Sequence, residues 1–294
     1  MKNIVRFQHP EHGARVGAVS TVEGVEVLTD LTALRPTVFA SMASWLATDD
    51  PLEEIRQVEA TEGMRLLRDV ELLSPLDVQE LWGAGVTYER SKVARMEESE
   101  SGGDFYDKVY DAERPEIFFK ATPRRVVAPG QPVRIRRDST WDVPEPELTL
   151  VVSLSGKIVG YTVGNDMSSR SIEGQNPLYL PQAKTWDGCA SVGPTIRLLD
   201  DSVDLKDLTI RLAIERGGAT AFDEFTSTSR MRRTGDELVG FLFREATFPE
   251  GVFLMTGTGI VPPDDFTLAS GDVVKITIGE AGTLVNPVTK LPTE

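Results

Sequence analysis

Val143-Pro144-Glu145-Pro146-Glu147-Leu148-Thr149-Leu150-Val151-Val152, closed by Ser155-Gly156 and returning along Lys157-Ile158-Val159-Gly160-Tyr161-Thr162-Val163-Gly164-Asn165-Asp166, decides how the chain folds. The aliphatic and β-branched run from Leu148 predicts a strand, with both glutamates at its start. Side chains on a strand alternate faces, so Glu145 and Glu147 share one. Ser155-Gly156 predicts a tight two-residue turn, which makes Lys157 to Val163 the returning strand of a hairpin. Counting back from that turn sets Asp166 directly opposite Glu145, where cross-strand Cβ atoms come within roughly 4.5 to 5.5 Å. Three carboxylates then converge at the open end of one hairpin. Like charges so close oppose pairing unless protonation or a cation neutralises them. An all-oxygen donor set suits a hard ion, Mg2+, Mn2+ or Ca2+, rather than zinc or copper. The pattern also fits a plainer arrangement, with the glutamates as solvent-side strand residues, Asp166 capping the Ser168-Ser169 turn, and a bulge breaking the register.

Composition narrows the chemistry further. The only two histidines of the 294 residues, His9 and His12, lie in the first dozen positions. Catalytic triads with histidine, Cys-His pairs and the H-E-x-x-H zinc helix therefore lack their imidazole over the rest of the chain. Carboxylates, lysines, hydroxyls or an oxygen-bound metal remain. The formal charge of −15, from 46 acids against 31 bases, disfavours nucleic acid and anionic membranes as partners. Cys189 is the sole cysteine, which excludes an internal disulfide and fits a reducing compartment. The N-terminal stretch lacks the apolar core of a signal peptide, and no apolar run approaches the ~18 residues of a membrane span. The expectation is a cytoplasmic protein.

The rest of the pattern predicts an α+β, mostly β chain in two parts. Residues 1–75 read as a small N-terminal α+β domain, with strands at Ile4–Phe7, Arg15–Ser20 and Val25–Leu28. Helices are expected over 37–47 and 51–60, ending at Thr61-Glu62-Gly63. Residues 76–294 form the larger domain, entered through Leu81-Trp82-Gly83-Ala84-Gly85-Val86. A charged helix is expected over 89–104, ending at Gly102-Gly103. Strands follow at Ile117–Lys120, Val133–Arg136, Leu148–Leu154, Ile158–Val163, Leu208–Glu215 and Val273–Ile278, and Thr234-Gly235-Asp236-Glu237 predicts a capped helix. The segment 167–183 reads as a long loop able to close over the carboxylates. Thr256-Gly257-Thr258 offers hydroxyls and backbone N–H groups for a carboxylate, or is a plain loop.

Glu145-Pro146-Glu147 and Gly160-Tyr161-Thr162-Val163-Gly164-Asn165-Asp166 resemble the metal-ligand motifs of the fumarylacetoacetate hydrolase superfamily. Phe118-Phe119-Lys120, Ala183-Lys184-Thr185-Trp186-Asp187, Val192-Gly193-Pro194, Thr256-Gly257-Thr258 and Gly271-Asp272-Val273 are similar to further marks of that family, over roughly residues 80 to 294. The resemblance implies a mixed β-roll catalytic domain, with Glu145, Glu147 and Asp166 holding Mg2+. It implies Thr87, Tyr88, Lys120, Lys184, Thr256 and Thr258 facing the substrate, a small 2-oxo acid, and a homo-oligomer, dimer or tetramer. Hydrolytic members carry a water-activating histidine in G-x-N-Y-x-x-H, whereas here Gly85-Val86-Thr87-Tyr88-Glu89-Arg90-Ser91 ends in serine.

Without that base, carbon-carbon hydrolysis is the less suited chemistry. The stretches 82–85, 108–123 and 176–184 resemble the branch that dehydrates 2-keto-3-deoxy sugar acids such as 2-keto-3-deoxy-D-arabinonate to 2,5-dioxopentanoate. For that reaction Glu116 and Lys184 are the expected proton carriers, since a partly buried glutamate shifts up and a lysine beside a cation shifts down. Two other functions remain open: a metal-dependent hydrolase or decarboxylase of acylpyruvate-like diketo acids, and a non-catalytic 2-oxo-acid-binding protein.

Overall fold

The computed structural model describes residues 2–58, 65–98 and 108–292. Its centre is the predicted hairpin, longer than expected: Asp142–Val152 pairs antiparallel with Ile158–Ser169. Glu145 lies opposite Asp166. The route to that register differs from the two-residue turn. Ser153 N–H donates to the Lys157 carbonyl at 2.9 Å and Gly156 N–H to the Ser153 carbonyl at 3.0 Å, with Gly156 at φ 77°. The turn thus spans Leu154 to Gly156, one residue longer. A bulge then cancels it: Ile158 opposes Val152, but Gly160 opposes Val151.

The hairpin is the middle of a wide sheet. One flank runs through Ala190–Leu198, Asn3–His9, Gly13–Val22, Val25–Asp30 and Arg65–Leu66; the other through Val252–Met255, Glu80–Gly85 and Glu116–Ala121. The N-terminal strands thus hydrogen-bond onto the sheet that carries the carboxylates, with Asn3 opposite Arg197. A second sheet, ordered Ala219–Ser227, Thr209–Arg216, Val273–Ile278, Thr283–Lys290 and Val133–Ile135, packs over one face. There Leu148, Leu150, Val152, Tyr161 and Val163 meet Ile210, Leu212, Ile214, Val274, Ile276 and Leu284. The opposite face, with Val151, Val159, Leu81 and Phe253, packs against Trp45, Leu46 and Ile55. Every residue of both hairpin strands is consequently buried.

Two prolines sit inside this central strand, where a missing N–H ordinarily breaks the ladder. They are tolerated because Val252–Met255 pairs only with Thr149–Val152, so the 144–146 stretch has a partner strand on one side alone. The early helices are shorter than predicted, Met42–Leu46 and Pro51–Arg56. Ser41 accepts from Ser44 N–H at 3.0 Å and Asp77 from Met42 N–H at 2.8 Å, which starts the first helix only at Met42. The charged helix is seen over Glu89–Glu98; its expected end, and the break at 61–63, lie outside the described residues. Gly235–Leu242 is helical as predicted, with Thr234 Oγ1 accepting from Glu237 N–H. No helix among the described residues is long and apolar enough to cross a membrane.

Candidate metal and substrate site

Where the short strand Val252–Met255 ends, its ladders to the neighbouring strands end too, and the 256–258 turn lies in the notch between them. The glutamate strand forms one side and the ends of Glu80–Gly85 and Glu116–Ala121 the other. Carboxylate oxygens of Glu145, Glu147 and Asp166 lie within 4.8 Å of one another at this point. All three are buried, at 3%, 2% and 1% exposure, so the solvent-side alternative is overturned. Glu145 and Glu147 share the face of Val151, and pairing with Asp166 brings the third acid to it.

Three buried cations answer these anions. Lys184 Nζ donates to Glu145 Oε2 at 2.6 Å, to Asp166 Oδ2 at 3.2 Å and to Ser168 Oγ at 2.6 Å. Arg170 Nη2 donates to Glu145 Oε1 at 2.9 Å. Lys120 Nζ contacts Asp166 Oδ1 and donates to the main-chain carbonyls of Met167, at 2.9 Å, and Lys184. Glu147 alone of the three acids touches no lysine or arginine among the described residues; its Oε2 accepts from Gly257 N–H at 2.5 Å. Burial, then the charges of Asp166 and Glu145, push Glu147 well above the ordinary carboxylate range, against the pull of Lys184 and the Gly257 N–H. This donor set fits a hard dication: three carboxylates within reach of one centre, one of them with no cation in contact.

Glu116 lies opposite Gly85, its carboxylate packed so closely over the glycine that a Cβ there would come 2.0 Å from Oε2. Gly257, at φ 93°, packs against Thr87 and the Ala84 carbonyl, tying the 256–258 turn to the 84–88 turn. The three threonine hydroxyls donate to main chain: Thr87 to Thr256 at 2.6 Å, Thr256 to Leu148 at 2.9 Å and Thr258 to Ile260 at 3.1 Å. The carboxylate that the 256–258 turn holds is the protein's own Glu147. Tyr88 is buried with its hydroxyl unpartnered; burial, then the Glu147 charge, pushes its pKa up and keeps the phenol protonated. Its ring borders a cavity of about 600 Å³ shared with Arg90, Tyr110, Thr226 and Arg230. Val86, β-branched and buried, sits at φ 54°, a conformation such residues rarely adopt, so the turn bearing Thr87 and Tyr88 is strained. Ser91 Oγ donates to the Tyr88 carbonyl at 2.7 Å and is a helix-start contact, not a proton acceptor for water.

Sequence reasoning missed Arg170 and Ser168. Instead of opening a loop, 167–169 continue the strand, and Arg170–Gln175 is a helix capped by Ser169. The period of two from Asp166 places Ser168 on the cluster's face, a signal the loop-like Ser168-Ser169 pair concealed.

Compared with known proteins, the chain matches the family described as "Fumarylacetoacetate (FAA) hydrolase C-terminal" over residues 82–289. The chain belongs to the fumarylacetoacetate hydrolase family. Within it, the chain is 55% identical over 215 residues to a probable 2-keto-3-deoxyxylonate dehydratase of Haloferax volcanii, covering 73% of this chain and 74% of that one. It is 44% identical over 227 residues to the 2-dehydro-3-deoxy-D-arabinonate dehydratase of Saccharolobus solfataricus, 76% of each chain. A solved structure of 2-keto-3-deoxyarabinonate dehydratase superposes with a TM-score of 0.83 at 35% identity, over 99% of this chain and 100% of that one. A second, complexed with magnesium and 2,5-dioxopentanoate, gives 0.81 at 34% identity, with the same coverage. The mostly β, mixed-sheet fold expected from the sequence is the family fold.

Proposed function

We propose that this member of the fumarylacetoacetate hydrolase family is a metal-dependent dehydratase, a carbon-oxygen lyase. It takes a 2-keto-3-deoxy sugar acid such as 2-keto-3-deoxy-D-arabinonate to 2,5-dioxopentanoate. The observation that carries it is the buried triad of Glu145, Glu147 and Asp166 with Lys184 in contact with two of its members, in a domain where the hydrolytic histidine is replaced by a committed Ser91. The dehydratase names of the two relatives at 55% and 44% identity, and the magnesium and product held by a 34% identical neighbour, support the same assignment.

In this account Glu145, Glu147 and Asp166 hold Mg2+, with Mn2+ or Ca2+ as substitutes of similar hardness. When bound, the ion polarises the C2 carbonyl of the 2-oxo acid, which acidifies the C3 protons. Glu116, facing the notch from the far strand, takes a C3 proton. Lys184, whose ammonium reaches Glu145, Asp166 and Ser168 and would leave at least one of those carboxylates when the ion is held, delivers a proton to the departing C4 hydroxyl, which leaves as water. Removal of a C5 proton and return of one to C3 then give the C4–C5 enol, and as C4 gains a proton the enol hydroxyl loses its own, leaving the aldehyde. Thr87, Tyr88, Thr256 and Thr258 shape the substrate's side of the notch, their hydroxyl oxygens still able to accept.

Residues 1–75 and 76–294 are taken as the small and catalytic domains, the latter beginning near the family match at 82. The exposed outer strand Ala219–Ser227, with Phe225 76% exposed, supports a homo-oligomer, dimer or tetramer. The lone buried cysteine supports a reducing compartment such as the cytoplasm.

The test is a panel of 2-keto-3-deoxy acids and diketo acids, run with Mg2+ and with EDTA, read by mass. Loss of one water from the sugar acids, abolished by EDTA, is expected. Cleaved diketo acids with the sugar acids untouched would replace this function by a hydrolase or decarboxylase, and binding without turnover by a non-catalytic protein.

A further inference from the structure

Lys120 is among the largest fully buried side chains, at 0% exposure, on the strand Glu116–Ala121. An ammonium has three donors and no acceptor. Two are given to main-chain carbonyls, those of Met167 at 2.9 Å and of Lys184, and the ammonium is in ion-pair contact with Asp166 Oδ1. The Trp186 ring lies 5.3 Å from Nζ. Lys184 Nζ, in contrast, reaches Asp166 through the other carboxylate oxygen, Oδ2.

We infer that Lys120 is a positioning residue, not a substrate ligand: it ties the carboxylate of Asp166 and the main chain that carries Lys184 to one buried point. The inference rests on the metal-dependent reading of the triad. Its geometric content is that Lys120 lies against Oδ1 of Asp166 while Lys184 bonds Oδ2, so the two ammonium groups hold the carboxylate by its two oxygens. The bond to the Lys184 carbonyl fixes where that residue's chain leaves the short helix Leu180–Lys184, and hence where its ammonium lies. The Thr185 hydroxyl donates to the Lys120 carbonyl at 2.9 Å, so the two segments are fastened in both directions. Partners behind a metal ligand typically change metal affinity 10- to 100-fold when altered.

The decisive variant is Lys120→Arg, which keeps the charge and changes reach and donor geometry, so that an altered affinity reports positioning and not lost Coulomb attraction. Mn2+ affinity is read by electron paramagnetic resonance on the full chain without substrate, and oxalate affinity by calorimetry on Mn2+-saturated protein. The expected result is a fall of about tenfold or more in Mn2+ affinity, with oxalate affinity within about threefold of wild type. Unchanged Mn2+ affinity, or an oxalate affinity that alone falls tenfold, overturns the inference. Should the larger side chain prevent folding, a crystal structure of the wild-type protein with Mg2+ and oxalate decides. Nζ must remain on Asp166 and the two carbonyls, and Nζ within hydrogen-bond distance of oxalate overturns it. A wild-type protein that binds Mn2+ but dehydrates no sugar acid would end the proposed function and leave this inference standing.

Discussion

Replacing Glu145 with Gln separates a working metal centre from a merely buried ion cluster. The substitution keeps shape and removes one charge. Glu145 receives Lys184 at 2.6 Å and Arg170 at 2.9 Å, and faces two carboxylates whose oxygens lie up to 4.8 Å away. At an effective dielectric of about 20, each attraction is worth ~6 kcal/mol and each repulsion at least ~3.5 kcal/mol, so the cations offset the repulsions before desolvation is counted. The Gln amide adds a second penalty, because its NH2 must point at either Lys184 or Arg170, donor to donor. One charge-assisted bond is lost, costing about 1.5–3 kcal/mol, and the other becomes charge-to-neutral. Metal-free Glu145→Gln should therefore unfold at lower urea, by about 2–3 kcal/mol. Its Mn2+ affinity should drop at least a hundredfold, about 2.7 kcal/mol for one charged ligand of three. Turnover of the sugar acid should fall with it and return only in part at high metal. Urea unfolding by tryptophan fluorescence, Mn2+ titration and the mass assay read the three effects. Wild-type Mn2+ affinity together with wild-type turnover would refute the reasoning.

Gly85→Ala places a methyl where the Glu116 carboxylate now lies, 2.0 Å from Oε2; the glutamate end can swing away, so the melting temperature should barely move while kcat falls about a hundredfold. Unimpaired kcat would remove Glu116 from the proton path. Lys184→Met should lose kcat by about 10²–10⁴-fold, yet Mn2+ affinity should hold or tighten, because the ammonium against two ligands no longer repels the incoming ion; a weakened affinity on titration would contradict this. Asp272, 1% exposed, is held below its ordinary value: burial alone would raise it, but Arg216, bonded to both oxygens, and the Ala269 N–H outweigh that. The resulting stability is present above the unfolded value of about 3.9 and lost as pH falls through the folded one. Urea midpoints below pH 4 should thus decline more steeply for wild type than for Asp272→Asn, and equal slopes would count against the pairing.

The hairpin was legible because its physics is local. Alternation assigns faces, and a slip of one residue would turn Leu148 and Leu150 out of one core and the acids into it. That constraint explains why the longer turn at Leu154 to Gly156 is matched by a bulge at Val151/Val152: the faces, not the turn, fix the register. Helix lengths were overread because Thr37 to Ser41 favour helices only weakly, and the Ser41 cap and Asp77, remote in sequence, decide where the helix begins. The cations were the least legible. Lys184 stood out by resemblance, but that Lys120 bonds two main-chain carbonyls, and that Arg170 turns back onto Glu145, depends on contacts between distant segments that no periodicity encodes.

Anomalous diffraction from crystals soaked in Mn2+ measures directly whether Glu145, Glu147 and Asp166 together hold one hard dication. A single strong peak is expected, with one oxygen of each acid at about 2.1 Å, and Lys184 moved off at least one of its two carboxylates. A peak elsewhere, or density showing Lys184 still seated on Glu145 and Asp166 at saturating metal, would contradict it.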